Sequence, residues 1–180
     1  MSGNLGDGNQ YTGLLFDPTG NSHKANLIFK TQYGAAAFNV DLAVKDGFVF
    51  DDIKNKVNEK LDWVEGSGFA PVGVNYSINE AIRVPCYYQG TIYIKKDAVV
   101  PFSTIKARID NEIERYIESL DPGENVIYSE VYYRIMSDVD VWRVDNLKIY
   151  ESGGTFLEDE DIHIGEREVA VFGGSILYQG

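Results

Sequence analysis

The stretch STIKARIDNEIERYIESLDPG, residues 103–123, decides the fold. Ile105, Ile109, Ile113 and Ile117 recur every four residues, with Tyr116 and Leu120 beside them. That spacing lays one apolar stripe along a helix, and it predicts a helix over 103–120 with Ser103 as N-cap. Lys106 faces Asp110 and Arg108 faces Glu112 on the wet side. The basic-first order is the weaker one, so each pair contributes about 0.3 kcal/mol. Asp121-Pro122-Gly123 ends the helix, because Pro122 cannot continue it and Gly123 tolerates positive φ. A lone helix of this length is marginal in water. Its stripe must therefore be covered by the β-like runs on either side.

Those runs define a strand, helix, turn, short helix and strand over Ile92–Leu147. Upstream, Arg83–Lys95 is rich in β-formers, with Gly90 a candidate bulge. Downstream, Ser129 is predicted to cap a short helix through Ser137, with Val131, Tyr132, Ile135 and Met136 inward. Val141–Tyr150 is the partner strand. Strict alternation puts Val141, Arg143, Asp145, Leu147 and Ile149 on one face and Trp142, Val144, Asn146, Lys148 and Tyr150 on the other. A polar loop from Ser152 runs through the acids Glu158-Asp159-Glu160-Asp161. Val169–Phe172 begins a last strand, which Gly173-Gly174 interrupts and Ser175–Tyr178 resumes.

The first half repeats the scheme on a smaller scale. Met1–Gln10 reads as a flexible, glycine-rich lead-in. Tyr11–Gly20 is a short apolar run closed by Asp17-Pro18-Thr19-Gly20, and Lys24–Thr31 is a strand. Over Gly34–Asp46, Phe38, Val40, Leu42 and Val44 alternate with polar or small residues, a strand pattern. Asp51–Val64 is a second helix, capped by Asp51, with Ile53, Val57, Leu61 and Val64 as its stripe and Trp63 beside it. An extended run reaches Ile78, and Asn79-Glu80-Ala81 reads as a loop. The expected fold is α+β, in two small units, each with mixed or antiparallel strands packed on one or two helices. Residues 11–80 form the first unit and residues 81–180 the second.

Formal net charge is -12, from 28 acidic and 16 basic residues, which argues against nucleic acid and anionic membrane as partners. No apolar stretch approaches ~18 residues, and the start lacks a charged-then-apolar leader, so synthesis in the cytoplasm is expected. Cys86, the single cysteine, lies in a strand and reads as a structural thiol. His23 and His163 have no zinc-ligand spacing, and the acids 158–161 lack an EF-hand pattern. Lys54, Lys56 and Lys60 are interleaved with acids and form a solvated helix face. No phosphate loop, dinucleotide fingerprint or GxSxG elbow occurs, and Ser103 and Ser129 have no nearby His to activate them. No cofactor, metal or small-molecule substrate is expected, and no enzymatic activity.

In order and spacing, five stretches resemble the middle and C-terminal part of the baseplate J-like proteins, wedge components of contractile phage tails and related injection systems. They are FAPVGV (69–74), the β-rich run to Lys95, TIKARIDNEIERYIESLDPGENV (104–126), IYSEVYYRIMSDVDVWRVDNLKI (127–149) and DIHIGEREVAVFGGSILY (161–178). The resemblance covers Asp51–Tyr178. Where that family carries Gly-Val entering the strand after its second helix, this chain has Asp140-Val141. The resemblance implies a structural protein of the virion tail baseplate. Its partners would be other wedge proteins and copies of itself, and its contacts would join subunits and relay the change that triggers sheath contraction.

Twelve tyrosines in 180 residues fit such a role, since Tyr and Trp bury much area at modest entropy cost. The candidate interface residues are Tyr87, Tyr88, Tyr93, Tyr133 and Trp142, with Glu158, Asp159, Glu160 and Asp161 as an acidic surface for a basic neighbour. A carbohydrate- or peptide-binding module is the alternative, marked by an aromatic groove of ligand size. A hydrolase would need converging carboxylates or His163 in a cleft.

Overall fold

The computed structural model of the chain describes residues 10–16, 22–32, 35–44, 47–61, 75–154 and 159–180. The fold is α+β, and the chain divides into two compact units at Ile82/Arg83, with the turn Asp121–Gly123 counted with the first. The lead-in over residues 1–9, the turn Asp17–Gly20, and Trp63, Val64 and residues 69–74 lie outside the described residues.

The first unit is a four-stranded sheet with one crossover helix. Strands β1 (Gln10–Phe16), β2 (Ser22–Gln32) and β3 (Ala35–Ala43) pair antiparallel in sequence. Helix α1 (Phe50–Leu61) then leads to β4 (Asn75–Glu80), which pairs parallel to β3, Val40 opposite Ile78. The strand read from Gly34–Asp46 is present, and Val40, Leu42 and Val44 are buried with Ile53 of α1 and Ile78, but the alternation is broken at Asp41, which is also 0% exposed. Two boundaries differ from expectation. Helix α1 begins at Phe50, so Asp51 is inside its first turn and not its cap, where its charge still favours the helix N-terminus. Asn79 and Glu80 belong to β4, because Ala81 donates its N–H to Leu42 O and keeps the chain in register beyond the expected loop.

The second unit is a three-stranded sheet, ordered β6-β5-β7, with two helices on its inner face. Its elements are β5 (Ile82–Ile94), α2 (Phe102–Ser119), α3 (Tyr128–Met136), β6 (Val141–Glu151) and β7 (Glu168–Gln179). Helix α2 lies over β7 and α3 over β6. The isoleucine ladder is fully spent on this core: Ile105, Ile109, Ile113 and Ile117 are all buried, together with Tyr116. Each such side chain stabilises the fold by about 2 kcal/mol over leaving it exposed. From β5, Val84, Cys86, Tyr88 and Ile92 point into the same core, with Gly90 between them. A Cβ at Gly90 would meet Val144 Cγ2 at 3.4 Å, an ordinary van der Waals distance, so Gly90 marks the bulge opposite β6 without being sterically required there.

The helix starts are not capped as read. Pro101 precedes α2, and its carbonyl accepts the N–H groups of Thr104 and Ile105, so Ser103 lies within the first turn. Helix α3 begins at Tyr128, with Ser129 inside it. Its orphan N–H groups go to distant side chains instead: Ile127 N–H donates to Tyr116 Oη at 2.9 Å, and Tyr128 N–H to Asp161 Oδ1 at 2.8 Å. Asn125 Oδ1 accepts from Ile164 N–H, and Val126 pairs with Ile162, which fastens the end of the acidic loop to the start of α3. The inner side of α3 is Val131 and Ile135; Tyr132, about 100° further round, is 41% exposed and not inward.

Strand β6 breaks strict alternation twice. Between the pairs Gln89↔Lys148 and Thr91↔Asp145 it gains one residue on β5, and again between Tyr93↔Arg143 and Ile94↔Val141. The first bulge holds Asn146 at φ 52, a conformation Asn tolerates better than most residues. The inward set is therefore Val141, Val144, Leu147 and Ile149, and Arg143 and Asp145 face away from it. Strand β7 is continuous through Gly173-Gly174, not interrupted there, with Gly174 at φ 130 taking up the local bend.

Candidate functional site

The outer face of the second sheet carries the aromatic side chains. Because Val84, Cys86, Tyr88 and Ile92 are inward on β5, Tyr87 and Tyr93 project to the other side. Tyr87 lies directly opposite Tyr150 on β6, and their rings stack at 5.4 Å with an interplanar angle of 15°. The tip of Tyr87 rests on Gly173, where an added Cβ would sit 2.6 Å from Cζ. Tyr93 rests in the same way on Gly180. The Arg143 guanidinium then lies 4.2 Å above the Tyr93 ring and 5.2 Å from Trp142. The two glycines leave room for the tyrosines to lie across the sheet, each ring held against neighbours of its own unit.

Beside this strip the face is open. Leu177 is buried, so Ile176 and Tyr178 face outward, where they are 45% and 60% exposed. Trp142 is 62% exposed at the second bulge of β6. The structure thus brings together Tyr87, Tyr93 and Trp142 of the expected interface set and adds Tyr150, Arg143, Ile176 and Tyr178. The signal for Tyr150 was cross-strand register with Tyr87, which needs the pairing to be known.

Tyr88 does not belong on a surface. It is 2% exposed, packs near Phe172, and its hydroxyl donates to Asp110 Oδ1. Burial first, and then the Asp110 carboxylate, push its phenol well above the usual range. Asp110 also receives Ser175 Oγ–H at 2.6 Å and pairs with Lys106 at 2.5 Å, and Lys106 Nζ donates to Ser175 Oγ at 2.6 Å. This Tyr88–Asp110–Lys106–Ser175 cluster ties α2 to β5 and β7. The hydroxyls of Tyr88 and Ser175 and the Lys106 ammonium all find partners within the cluster, which joins three elements as a structural lock.

Tyr133 stands apart from the aromatic strip, on α3, where it is 66% exposed. It lines a groove of about 610 Å³ between α2 and α3, with Arg108, Arg115, Arg134, Asp138 and Val139. Arg108 does not reach Glu112 as expected. Its Nε and Nη2 grip Asp138 at 2.9 and 2.8 Å, and Nη2 also meets Asp140 at 2.6 Å. The hydrogen bond to Asp138 and then that to Asp140 raise the Arg108 pKa further. Asp138 also accepts the Asp140 N–H, so Asp140 is part of this turn's clamp. Glu112 pairs with Arg115 instead, at 2.6 Å.

Of the acidic run, Glu158 lies outside the described residues, Asp159 and Glu160 are exposed, and Asp161 is half-buried as the partner of Tyr128 N–H. Cys86 is 1% exposed; burial, then the charge of Glu151, push its thiol up to about 12, so it is a poor nucleophile. His163 is exposed, and its Nδ1 lies 3.2 Å from Asn125 Nδ2. The side chain of His23 lies outside the described residues. Among the described residues no group of three or more His, Cys, Asp or Glu is placed to hold a metal, and no helix is long and apolar enough to cross a membrane. No protein-family model matches the sequence, and no curated protein matches it.

Proposed function

We propose that this chain is a non-catalytic assembly component that docks on neighbouring proteins through the open face of its second sheet. The observation that carries the reading is the ordered aromatic strip, Tyr87 stacked on Tyr150 and Tyr93 under Arg143, flanked by the exposed Trp142, Ile176 and Tyr178. Aromatic and Arg anchors that are rigid before binding lose little entropy on association, which is what interface hot spots need. The sequence order of strand, long helix, short helix and strand supports a more specific form of the proposal. In that form the chain is a wedge component of a contractile tail baseplate, bound to other wedge proteins and to copies of itself. A carbohydrate-binding reading is less favoured, because Arg143 takes the face of Tyr93 on which a sugar would stack.

The test is co-sedimentation with tail particles, imaged by electron microscopy, of the tagged protein and of a Trp142→Ala/Ile176→Ser/Tyr178→Ala variant. Loss of binding at an unchanged melting temperature supports the proposal. Equal co-sedimentation of wild type and variant, or none by either, refutes it.

A further inference from the structure

We infer that strand β7 pairs edge to edge with β7 of a second copy of this chain, antiparallel, about a two-fold axis between Gly173 and Gly174. The inference rests on the assembly reading above and specifies its contact between copies. β7 is an outer strand of its sheet: β5 takes one side of it, and no other described strand takes the other. Alternate backbone N–H and C=O groups along its twelve residues therefore point out of the sheet. Edge strands usually carry a charge or a proline that deters pairing with another chain. From Val169 to Gly180 there is neither. In a molecule of net charge -12, copies repel one another wherever acids meet, and this run brings none together.

The choice of a second copy comes from the glycine pair. Ala170, Phe172 and Leu177 pack into the core, and Ser175 turns inward to Lys106 and Asp110 of α2. The inward positions are thus 170 and 172 before the glycines, but 175 and 177 after them. The alternation slips by one residue at Gly173-Gly174, where Gly174 has φ 130. A strand of uniform alternation laid along β7 would match its faces on one side of the slip and mismatch them on the other. A strand with the same slip at the same place matches throughout. In the antiparallel register that sets Gly173 opposite Gly174, Ala170 meets Leu177, Phe172 meets Ser175, and Val171 meets Ile176. Inward residues then oppose inward ones, and outward oppose outward. Glu168, the one charge of β7, meets Gln179 and not its own counterpart. Such a two-fold keeps the helices of both copies on one side of the joined sheet. Ile176 and Tyr178 of both copies share the other side, so the open aromatic face doubles in width.

Sedimentation velocity of the full chain over a wide concentration range tests this. Wild type should show a monomer–dimer equilibrium and nothing larger, because the pair uses up β7 of each copy. Val171→Lys/Ile176→Lys sets like charges opposite each other at both outward pairs. It should weaken the dimer at least about tenfold, although it lowers the net negative charge. Val171→Glu/Ile176→Lys changes the same two positions but sets opposite charges face to face in this register, so it should retain the dimer. Wild type that stays monomeric overturns the inference, as does equal dimerisation, or equal loss of the dimer, by the two variants. If Trp142→Ala abolishes the dimer and Val171→Lys/Ile176→Lys does not, copies meet on the aromatic face and the edge pairing is overturned. A monomer can still dock on tail particles, so none of these failures is a failure of the assembly reading, which the co-sedimentation above tests separately.

Discussion

Replacing Asp110 is the sharpest probe of how the second unit is held. Its carboxylate accepts from the buried Tyr88 hydroxyl and from Ser175, and it pairs with Lys106. Asp110→Asn keeps an oxygen for the two hydroxyls and loses only the charge. Lys106 and Asp110 are 33% and 22% exposed, so solvent screens that pair, and the cost is about 0.5 kcal/mol. Asp110→Ala also takes the carboxylate acceptor from the Tyr88 hydroxyl, in a residue 2% exposed, and leaves only Ser175 beside it, a penalty of about 2 kcal/mol. Better helix propensity returns about 0.5 kcal/mol. The net expectation is about 2 kcal/mol for Ala against about 0.5 kcal/mol for Asn. Tyr88→Phe in the Asp110→Ala background removes the stranded donor and should recover about 1 kcal/mol, although each change alone destabilises. Urea unfolding followed by Trp142 fluorescence in a Trp63→Phe background isolates the second unit, because no other Trp remains. Additive Asp110→Ala and Tyr88→Phe, or Ala no costlier than Asn, would refute the lock.

Four further outcomes follow from the geometry. Native Cys86 should resist iodoacetamide at neutral pH and react only on unfolding, since its thiol is pushed up to about 12; rapid labelling of the folded protein would contradict its burial. Stability should fall as pH rises above 9.0, because the unfolded chain releases the Cys86 proton near its ordinary value of 9.0 while the fold holds it until about 12, and the raised Tyr88 and Tyr116 act in the same direction. Melts from about pH 8 to about pH 11 check the sign, and Cys86→Ala should flatten the slope. Gly173→Val should displace Tyr87 from Tyr150 and cost about 1 kcal/mol, and Tyr87→Ala should suppress most of that cost if the clash is the cause. Arg108→Ala should lower the melting temperature more than Arg115→Ala, with Arg108→Lys a poor substitute, because only Arg108 grips two carboxylates with a planar fork.

What could be read from the chain follows the range of the interactions involved. The isoleucine ladder 105–117 is a local pattern, and it marked α2 and its buried face correctly. The alternation at Val40–Val44 marked β3 for the same reason. Caps were misassigned at Ser103 and Ser129 because the groups that satisfy these helix starts are the Pro101 carbonyl, Tyr116 and Asp161, the last two distant in sequence from α3. The inner face of β6 was half wrong because its bulges follow from pairing with β5 and leave only a positive φ at Asn146 as their trace. Arg108 took Asp138 and Asp140 over Glu112, a choice no helical spacing encodes. Of the candidate interface residues, Tyr87, Tyr93 and Trp142 rest on aromatic type alone, and the structure puts them away from the core of the second unit. Tyr88 failed as a surface residue because a neighbouring Tyr on a strand points the opposite way.

The two bulges of β6 also bear on aggregation. Within the described residues β6 is an edge of its sheet, and its edge is bent at Trp142 and Asn146 and carries Arg143, Asp145 and Lys148. Such an edge is a poor template for another chain's backbone. A fibre grows only if every added sheet exposes a fresh, regular edge on its far side. Any strand that pairs with β7 leaves β6 as the opposite limit of the sheet, so growth through this unit stops after one addition.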